Sequence, residues 1–244
     1  MKNLFDISGK IAVVTGGSRG IGAMIARGFV ENGCKTYICS RSGGQEGAGA
    51  IALKADLSSL AGIEAFVAEI ASREEKIDIL VNNAGAVWAA PIDDFPESGW
   101  DKVMNINLKS PFFLTRKFLP LLRNSGGLAR IINIASVDGQ SVPQFETYSY
   151  SASKAAVIHM TKVLAKRLAR EQITVNAIAP GPFPSAMTRE MLSQHQQKVI
   201  DQVPLGRIGE PGDMAGAAIY LSSRAASYVT GITLTVDGGW VSTL

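Results

Sequence analysis

The chain is poor in the residues that build metal centres and covalent staples: among 244 residues there are two cysteines and two histidines. Cys34 and Cys39 stand at the ends of one short apolar segment and fall on opposite faces if it is extended, so they cannot bridge each other. A reducing compartment fits that usage. His159 and His195 are far apart and no paired-cysteine motif accompanies them, so no metal is expected. No apolar run reaches the roughly 18 residues of a membrane-spanning helix. Asp6 and Lys10 interrupt the N-terminus where a secretion signal needs an unbroken apolar stretch. A soluble, cytoplasmic protein is expected. Charge of one sign is scarce too: 24 Lys and Arg against 21 Asp and Glu leave +3, scattered rather than gathered into the basic stripe of a nucleic-acid binder. Neither nucleic acid nor membrane is expected as a partner.

Against these absences stand 46% hydrophobic residues in a regular pattern. Lys10 to Thr15 reads as a short apolar strand, followed by glycines, by Ile21 to Val30 at helical spacing, and by a second strand from Lys35 to Cys39. Strand-like runs recur at Ile51 to Lys54, Ile77 to Val81, Ala129 to Ala135, Thr174 to Ala179 and Ile232 to Val236, with helix-patterned stretches between them. Seven strands alternating with helices predict an α/β fold: one doubly wound, Rossmann-type domain over residues 1–244, its parallel sheet covered by helices on both faces. Pro182 to Val203, rich in Gln, Ser and Met, reads as a helical insert above the C-terminal edge of the sheet, where ligands of such folds bind. It is the candidate substrate lid.

Thr15-Gly16-Gly17-Ser18-Arg19-Gly20-Ile21-Gly22 lies between the first strand and the first helix, so its glycines permit close backbone approach to a pyrophosphate at the helix N-terminus. A plain tight turn is the other reading. At the end of the second strand, where a carboxylate would accept the ribose hydroxyls of NAD, the chain carries Ser40 and Arg41, and no carboxylate comes before Glu46. Arg19 supplies a second cation able to pair with a dianionic phosphate, which favours NADP(H). Both arginines could instead be ordinary solvated surface charge.

The glycine turn, Asn82-Asn83-Ala84-Gly85 after the fourth strand, Ser136, Tyr150-Ser151-Ala152-Ser153-Lys154 and Pro180-Gly181 together resemble the classical short-chain dehydrogenases/reductases over almost the whole chain. Hydride delivery to a carbonyl leaves an alkoxide that needs a proton from a positioned acid. A lysine four residues after a tyrosine shares its helix face and should draw the phenol pKa down, a spacing that Tyr150 and Lys154 have and Tyr148, followed by Ala152, lacks. The resemblance implies that Lys154 also holds the nicotinamide ribose and that Ser136 polarises the substrate carbonyl. It implies further that Asn107 holds a relay water through its backbone carbonyl. Pro111, four residues on, has no N–H for that carbonyl, whereas the alternative Asn105 is followed at that spacing by Lys109. By the same resemblance Asn82, Asn83, Ala84, Gly85, Asp56 and Leu57 flank the adenine side, and Thr188 follows Pro180-Gly181 toward the nicotinamide or the phosphates.

Two stretches depart from the family pattern. Only thirteen residues, four of them glycine, separate Arg41 from Ala55, where relatives fit a full helix, and the segment from Ser136 to Tyr150 is slightly long. Pro180-Gly181-Pro182-Phe183-Pro184-Ser185-Ala186-Met187-Thr188 looks most like bacterial 3-oxoacyl-thioester reductases, including the rhamnolipid-pathway type. That implies a 3-oxoacyl thioester or similar hydrophobic ketone; the alternatives are a sugar-acid or polyol dehydrogenase of the gluconate 5-dehydrogenase kind and, more remotely, a non-catalytic NADPH-binding protein. Val87, Trp88, Val142, Phe145, Phe183 and Met187 are the apolar pocket candidates beside Ser136 and Tyr150, with ordinary packing as their other reading. Arg130 matches the first of two basic residues that carrier-protein reductases use near the entrance, but Glu171 stands where the second would be, which puts carrier docking in doubt. The resemblance also implies a homotetramer built on the helices around Trp100 to Leu122 and Tyr150 to Arg170 and on Asp237 to Leu244.

Overall fold

Strands buried on both faces need near-continuous apolar side chains, and seven segments supply them: β1 (Ile11–Thr15), β2 (Lys35–Ser40), β3 (Ile51–Lys54), β4 (Ile79–Asn82), β5 (Ala129–Ile134), β6 (Ile173–Pro180) and β7 (Thr233–Val236). In a computed structural model of the chain, residues 3–43, 49–143, 145–185 and 189–243 are described, 189–195 by backbone alone. All neighbouring strands pair in parallel, in the order β3-β2-β1-β4-β5-β6-β7. The period of two sorts the side chains: Val13, Leu80, Ile131 and Val175 enter one core, Val14, Val81, Ile132 and Ile178 the other.

Each core is closed by helices. On one face α1 (Gly20–Glu31) packs against α7 (Pro211–Ser222) so closely that a Cβ on Gly28 would lie 2.5 Å from that of Ala215. On the other lie α2 (Leu60–Ala71), capped by the Ser59 hydroxyl accepting the Gly62 N–H, with α4 (Ser110–Arg123) and α5 (Tyr148–Leu168). Phe66 of α2 meets Phe118 of α4 edge to face at 5.9 Å. The cysteines behave as their spacing predicted: Cys34 belongs to one core and Cys39 to the other, both free. Burial pushes each thiol up to about 12, so neither is reactive.

Two local features shape the site. First, α3 (Glu97–Met104) continues through a π-helical turn, Asn105–Lys109, directly into α4. Pro111 interrupts the ordinary ladder, and the helix widens just before it, with the Ser110 N–H donating to the Asn105 carbonyl. Second, the link from β2 to β3 is short, and its described residues contain no helix; Gly43 and Gly49 turn the chain at φ +84° and +81°. The chain winds outward from β1 to β3 and then returns to β4 beside β1. Their connections diverge at the C-terminal edge and open a crevice there. Above that edge, within the expected lid, stands α6 (Arg189–Gln202). Its root is fixed: the Gly209 N–H donates to the Pro182 carbonyl at 2.9 Å, and a Cβ on Gly209 would lie 2.3 Å from Phe183 Cζ.

Candidate active site

The crevice is an open cleft of about 2320 Å³, running from the glycine turn across the ends of the central strands to α6. A single small-molecule pocket occupies roughly 300–1,000 Å³, so there is room for a dinucleotide and a second reactant together. Gly16, Ser18, Arg19, Gly20 and Ile21 line its floor. Arg19 caps α1 in extended conformation without a side-chain cap bond, so no N-cap side chain takes up the first N–H groups of the helix, whose opening residues Gly20 and Ile21 line the cleft. Gly16, at φ +65°, is pressed against the neighbouring loop: a Cβ there would lie 3.0 Å from Ala84 Cα and from Asn83 Nδ2. Gly22 lies beneath the lining, its Cα 's missing side chain leaving room for the Asn83 amide, which a Cβ would approach to 2.4 Å. Asn83 ties the turn down, donating from Nδ2 to the Thr15 carbonyl at 2.9 Å and to the Gly16 carbonyl at 3.2 Å.

At the β2 end of the cleft Ser40, Arg41 and Ser42 face Asp56, Leu57 and Ser58 across a shallow rim. Asp56 is held by the Ser58 N–H and hydroxyl, and its carboxyl lies below its ordinary range through those bonds, with a smaller contribution from Arg41. Among the described residues no carboxylate occupies the end of β2. A cradle that excludes side chains, a helix N-terminus and two exposed arginines suit a dinucleotide carrying an additional phosphate. Asn83, Ala84, Gly85, Pro180 and Gly181 complete this side. Asn82 lies beneath it, 3% exposed, with Nδ2 donating to Asn133 Oδ1 at 2.9 Å and to Thr115 Oγ1 at 3.2 Å; it binds β4 to β5 and α4 rather than lining the cleft.

The reacting groups converge at the other end. Ser136 leaves β5 into a short turn, its Oγ accepting the Asp138 N–H at 3.2 Å. Tyr150 and Lys154 come from the first turns of α5, and all three line the cleft. Lys154 is 5% exposed; its Nζ donates to the Ile134 carbonyl at 2.7 Å and lies 5.5 Å from the Tyr150 ring centroid. The expected lowering of the Tyr150 pKa by Lys154 is not what this arrangement produces. Desolvation pushes the phenol up to about 12; the adjacent Ser136 hydroxyl opposes that, and the Asp138 charge adds to it. The ammonium faces the ring and a carbonyl rather than the hydroxyl. Burial in turn brings Lys154 down to about 8, against the pull of Asp138.

Asn107 lies in the π-helical turn, 2% exposed. Its side chain is fully employed: Oδ1 accepts the Ala86 N–H at 2.8 Å, while Nδ2 donates to the Ala86 carbonyl at 2.9 Å and to Ser153 Oγ at 3.0 Å. Ser153 donates to the Tyr150 carbonyl at 2.7 Å. One asparagine thus joins the loop after β4 to the turn of α5 that carries the tyrosine.

The substrate candidates divide. Val87, Val142 and Phe145 line the cleft, the latter two 95% and 52% exposed at its mouth. Phe183 shows the cleft an edge while its ring is 2% exposed in the α1/α7 core. Trp88 is a correction: it is outside the lining, packed on Gly99, with Lys102 Nζ 5.2 Å from its ring centroid. Glycine at 99 admits the indole, so the tryptophan braces α3. Met187 and Thr188 lie outside the described residues. Tyr148 does not line the cleft; its hydroxyl donates to Glu146 and its ring meets Phe95 at 5.7 Å. Arg130 is a second correction. It is 3% exposed at the start of β5, at the opposite end of the strands from the cleft, donating to Thr174 Oγ1 and to the Ser223 carbonyl. It presents nothing at the mouth. Glu171 pairs with Arg123 and Arg167. Sequence reasoning missed Asp138, Ser141, Lys102, Lys198, Gln202 and Trp240, all of which line the cleft. Of these only Asp138 carried a local signal, its place two residues after Ser136.

A family model described as Enoyl-(Acyl carrier protein) reductase matches residues 16–241. The rhamnolipids biosynthesis 3-oxoacyl-[acyl-carrier-protein] reductase of Pseudomonas aeruginosa is 43% identical, the match covering 98% of this chain and 99% of that one. The chain belongs to the short-chain dehydrogenase/reductase family. A 2-dehydro-3-deoxy-D-gluconate 5-dehydrogenase of Dickeya dadantii is 37% identical over 98% of each chain. Among solved structures, the Pseudomonas aeruginosa RhlG/NADP active-site complex superposes with a TM-score of 0.92 at 43% identity, covering 98% of this chain and 99% of that one. A gluconate 5-dehydrogenase from Burkholderia cenocepacia in complex with NADP and tartrate gives 0.89 at 34%, covering 99% of each. As a short-chain dehydrogenase/reductase the protein is an oxidoreductase, on a seven-stranded parallel sheet with helices around it. Among the described residues no helix is long and apolar enough to cross a membrane.

Proposed function

We propose that the chain, acting as one domain over residues 1–244 with 182–203 as its lid, reduces a ketone with NADPH. The observation that carries this is the convergence of the Ser136 and Tyr150 hydroxyls beside buried Lys154, at the same strand edge as the glycine turn. The N-terminus of α1 with Gly16, Ser18, Gly20 and Ile21 receives the pyrophosphate, and Gly22 lets the helix close on the turn. Arg19, Ser40 and Arg41 receive the additional phosphate, and Asp56, Leu57, Asn83, Ala84 and Gly85 flank the adenosine. Pro180, Gly181 and, by family resemblance, Thr188 border the nicotinamide. When bound, NADPH supplies the hydride.

Ser136 donates a hydrogen bond to the ketone oxygen and holds it within reach of Tyr150. Tyr150 gives its proton to that oxygen as negative charge develops there. A phenol raised to about 12 stays protonated throughout the working range, so the proton is present, and as a weak acid it depends on Lys154 to stabilise the charge it leaves. Lys154 stabilises the negative charge left on the tyrosine and orients the nicotinamide ribose. Asn107 holds the relay water at its backbone carbonyl, while its side chain keeps the tyrosine's helix turn in register. Replacing Tyr150 by Phe is expected to abolish turnover while NADPH still binds, measured by absorbance loss and by fluorescence titration. Turnover retained in that variant would remove Tyr150 from the role.

The cleft supports two substrate classes, each through its own observation. The apolar mouth at Val87, Val142 and Phe145 favours a 3-oxoacyl thioester or similar hydrophobic ketone, the substrate named for the rhamnolipid-pathway relative. The Asp138 carboxylate and the Ser141 hydroxyl in the wall favour a hydroxylated substrate of the sugar-acid or polyol kind, as named for the gluconate 5-dehydrogenases. Parallel assays of acetoacetyl-coenzyme A reduction with NADPH and gluconate oxidation with NADP⁺ separate them. The buried position of Arg130 and the pairing of Glu171 argue against carrier-protein docking through that pair. Apolar side chains exposed on α3, α4 and α5 support a homotetramer, and two free buried thiols support a cytoplasmic setting.

A further inference from the structure

Asp138 is a charge that takes no part in the proton transfer above. It sits two residues after Ser136 in the short turn Val137–Gly139, half-buried, and lines the cleft with Ser136, Tyr150 and Lys154. The turn cannot swing away. The Asp138 N–H donates to Ser136 Oγ, and Gly139 lies so close to α5 that a Cβ there would come within 2.7 Å of the Lys154 carbonyl carbon. Among the described residues nothing donates a hydrogen bond to the Asp138 carboxylate. Lys154, the cation whose charge acts on it, directs its ammonium to the Ile134 carbonyl. Desolvation raises the Asp138 pKa and the charge of Lys154 opposes that, so the carboxylate is close to the ammonium without being paired to it. A partly desolvated carboxylate with open acceptor sites, held in the cleft wall with Ser136 and Tyr150, asks for a donor from whatever occupies the cleft.

We propose that Asp138 is a specificity-determining residue that accepts a hydrogen bond from a hydroxyl on the carbon next to the reacting carbonyl. The inference rests on the ketone-reductase reading and names its substrate class: an α-hydroxyketone, or in the reverse direction a vicinal diol. A hydroxyl at that carbon satisfies the carboxylate. A plain alkyl chain or an acyl chain at the same place covers the carboxylate with hydrocarbon and gives it nothing, so a matched ketone lacking the hydroxyl is disfavoured. The position next to the carbonyl is the part of the substrate closest to Ser136 and Tyr150, and Asp138 lines the cleft with both, two residues from the serine whose Oγ accepts its N–H and near enough to Tyr150 for its charge to act on the phenol.

The test compares 1-hydroxy-2-butanone with 2-butanone in the full-length protein and in its Asp138→Asn and Asp138→Val variants. Wild-type protein should favour the hydroxyketone in kcat/KM, and Asp138→Val should lower that preference by roughly 10- to 100-fold, as expected for loss of a hydrogen bond to a charged acceptor. Asp138→Asn, which keeps an acceptor oxygen without the charge, should fall between the two. Binding of both ketones to the protein saturated with NADP⁺, followed through tryptophan fluorescence because Trp240 lines the cleft, should show the same change in ratio without turnover. A preference that is absent in wild type, or equal in all three proteins, overturns the assignment. If the variants shift the binding ratio but no ketone is reduced, Asp138 keeps its role and the reductase reading falls.

Discussion

Tyr150 and Lys154 show how burial changes the meaning of a motif. Spacing on a helix says that the two side chains share a face; it does not say that the ammonium addresses the hydroxyl. In the folded protein the ammonium donates to the Ile134 carbonyl and lies near the face of the ring, so it can act on a tyrosinate by charge alone, and burial is the largest influence on both pKa values. The pH dependence follows from Lys154, lowered to about 8. It is charged below that value and neutral above it, so its support for the developing tyrosinate is present on the acid side. The kcat/KM for ketone reduction is therefore expected to fall as pH rises through about 8. In Lys154→Arg, whose guanidinium does not titrate in this range, that fall should move out of the measured window even if overall activity is reduced. A fall at the same pH in the arginine variant would assign it to another group.

At the scale of elements, the continuous run of α3, π-helical turn and α4 places Asn107 between the loop after β4 and the first turns of α5. Removing its side chain leaves the half-buried backbone N–H and carbonyl of Ala86 and the buried Ser153 hydroxyl without this partner. Asn107→Ala is expected to lose about 1–3 kcal/mol of stability, read from the midpoint of urea unfolding, and to lower kcat as the Tyr150 turn loosens. A variant with unchanged stability would show that Asn107 holds nothing together. The glycine turn makes the opposite demand, since at Gly16 space must stay empty. In Gly16→Ala both the positive φ and the contact with Ala84 are strained. NADPH affinity should drop at least about tenfold, while acid-dependent behaviour traced to Lys154 is unchanged in sign.

For the whole molecule, the question is what covers the outer faces of the long helices. Trp100, Phe112 and Val163, on α3, α4 and α5, are 41%, 41% and 55% exposed. An assembly of four copies pairing these helices would cover such side chains. Light scattering coupled to gel filtration is expected to give a mass near four times 25.8 kDa. Phe112→Arg combined with Val163→Arg should shift it to a smaller species. A monomeric wild type would refute the tetramer and leave those side chains as isolated surface hydrophobics.

Much of this was legible along the chain because it is written in local order. Strand alternation, the glycine turn, the Tyr150/Lys154 spacing and the interruption at Pro111 each involve residues within a turn or two of one another, and periodicity and covalent geometry act at that range. The shortness of the link between β2 and β3 was likewise a matter of counting residues. What the chain could not disclose depended on which distant segments meet. Arg130, read as an entrance cation, lies buried at the far end of its strand, because the register of β5 decides which end of the sheet a residue occupies. Trp88 left the pocket because Gly99, on another element, makes room for it. Asp138 gained its significance only when α5 brought Lys154 and Tyr150 against the turn after Ser136. Electrostatics and packing depend on proximity in space, and only the tertiary structure sets that.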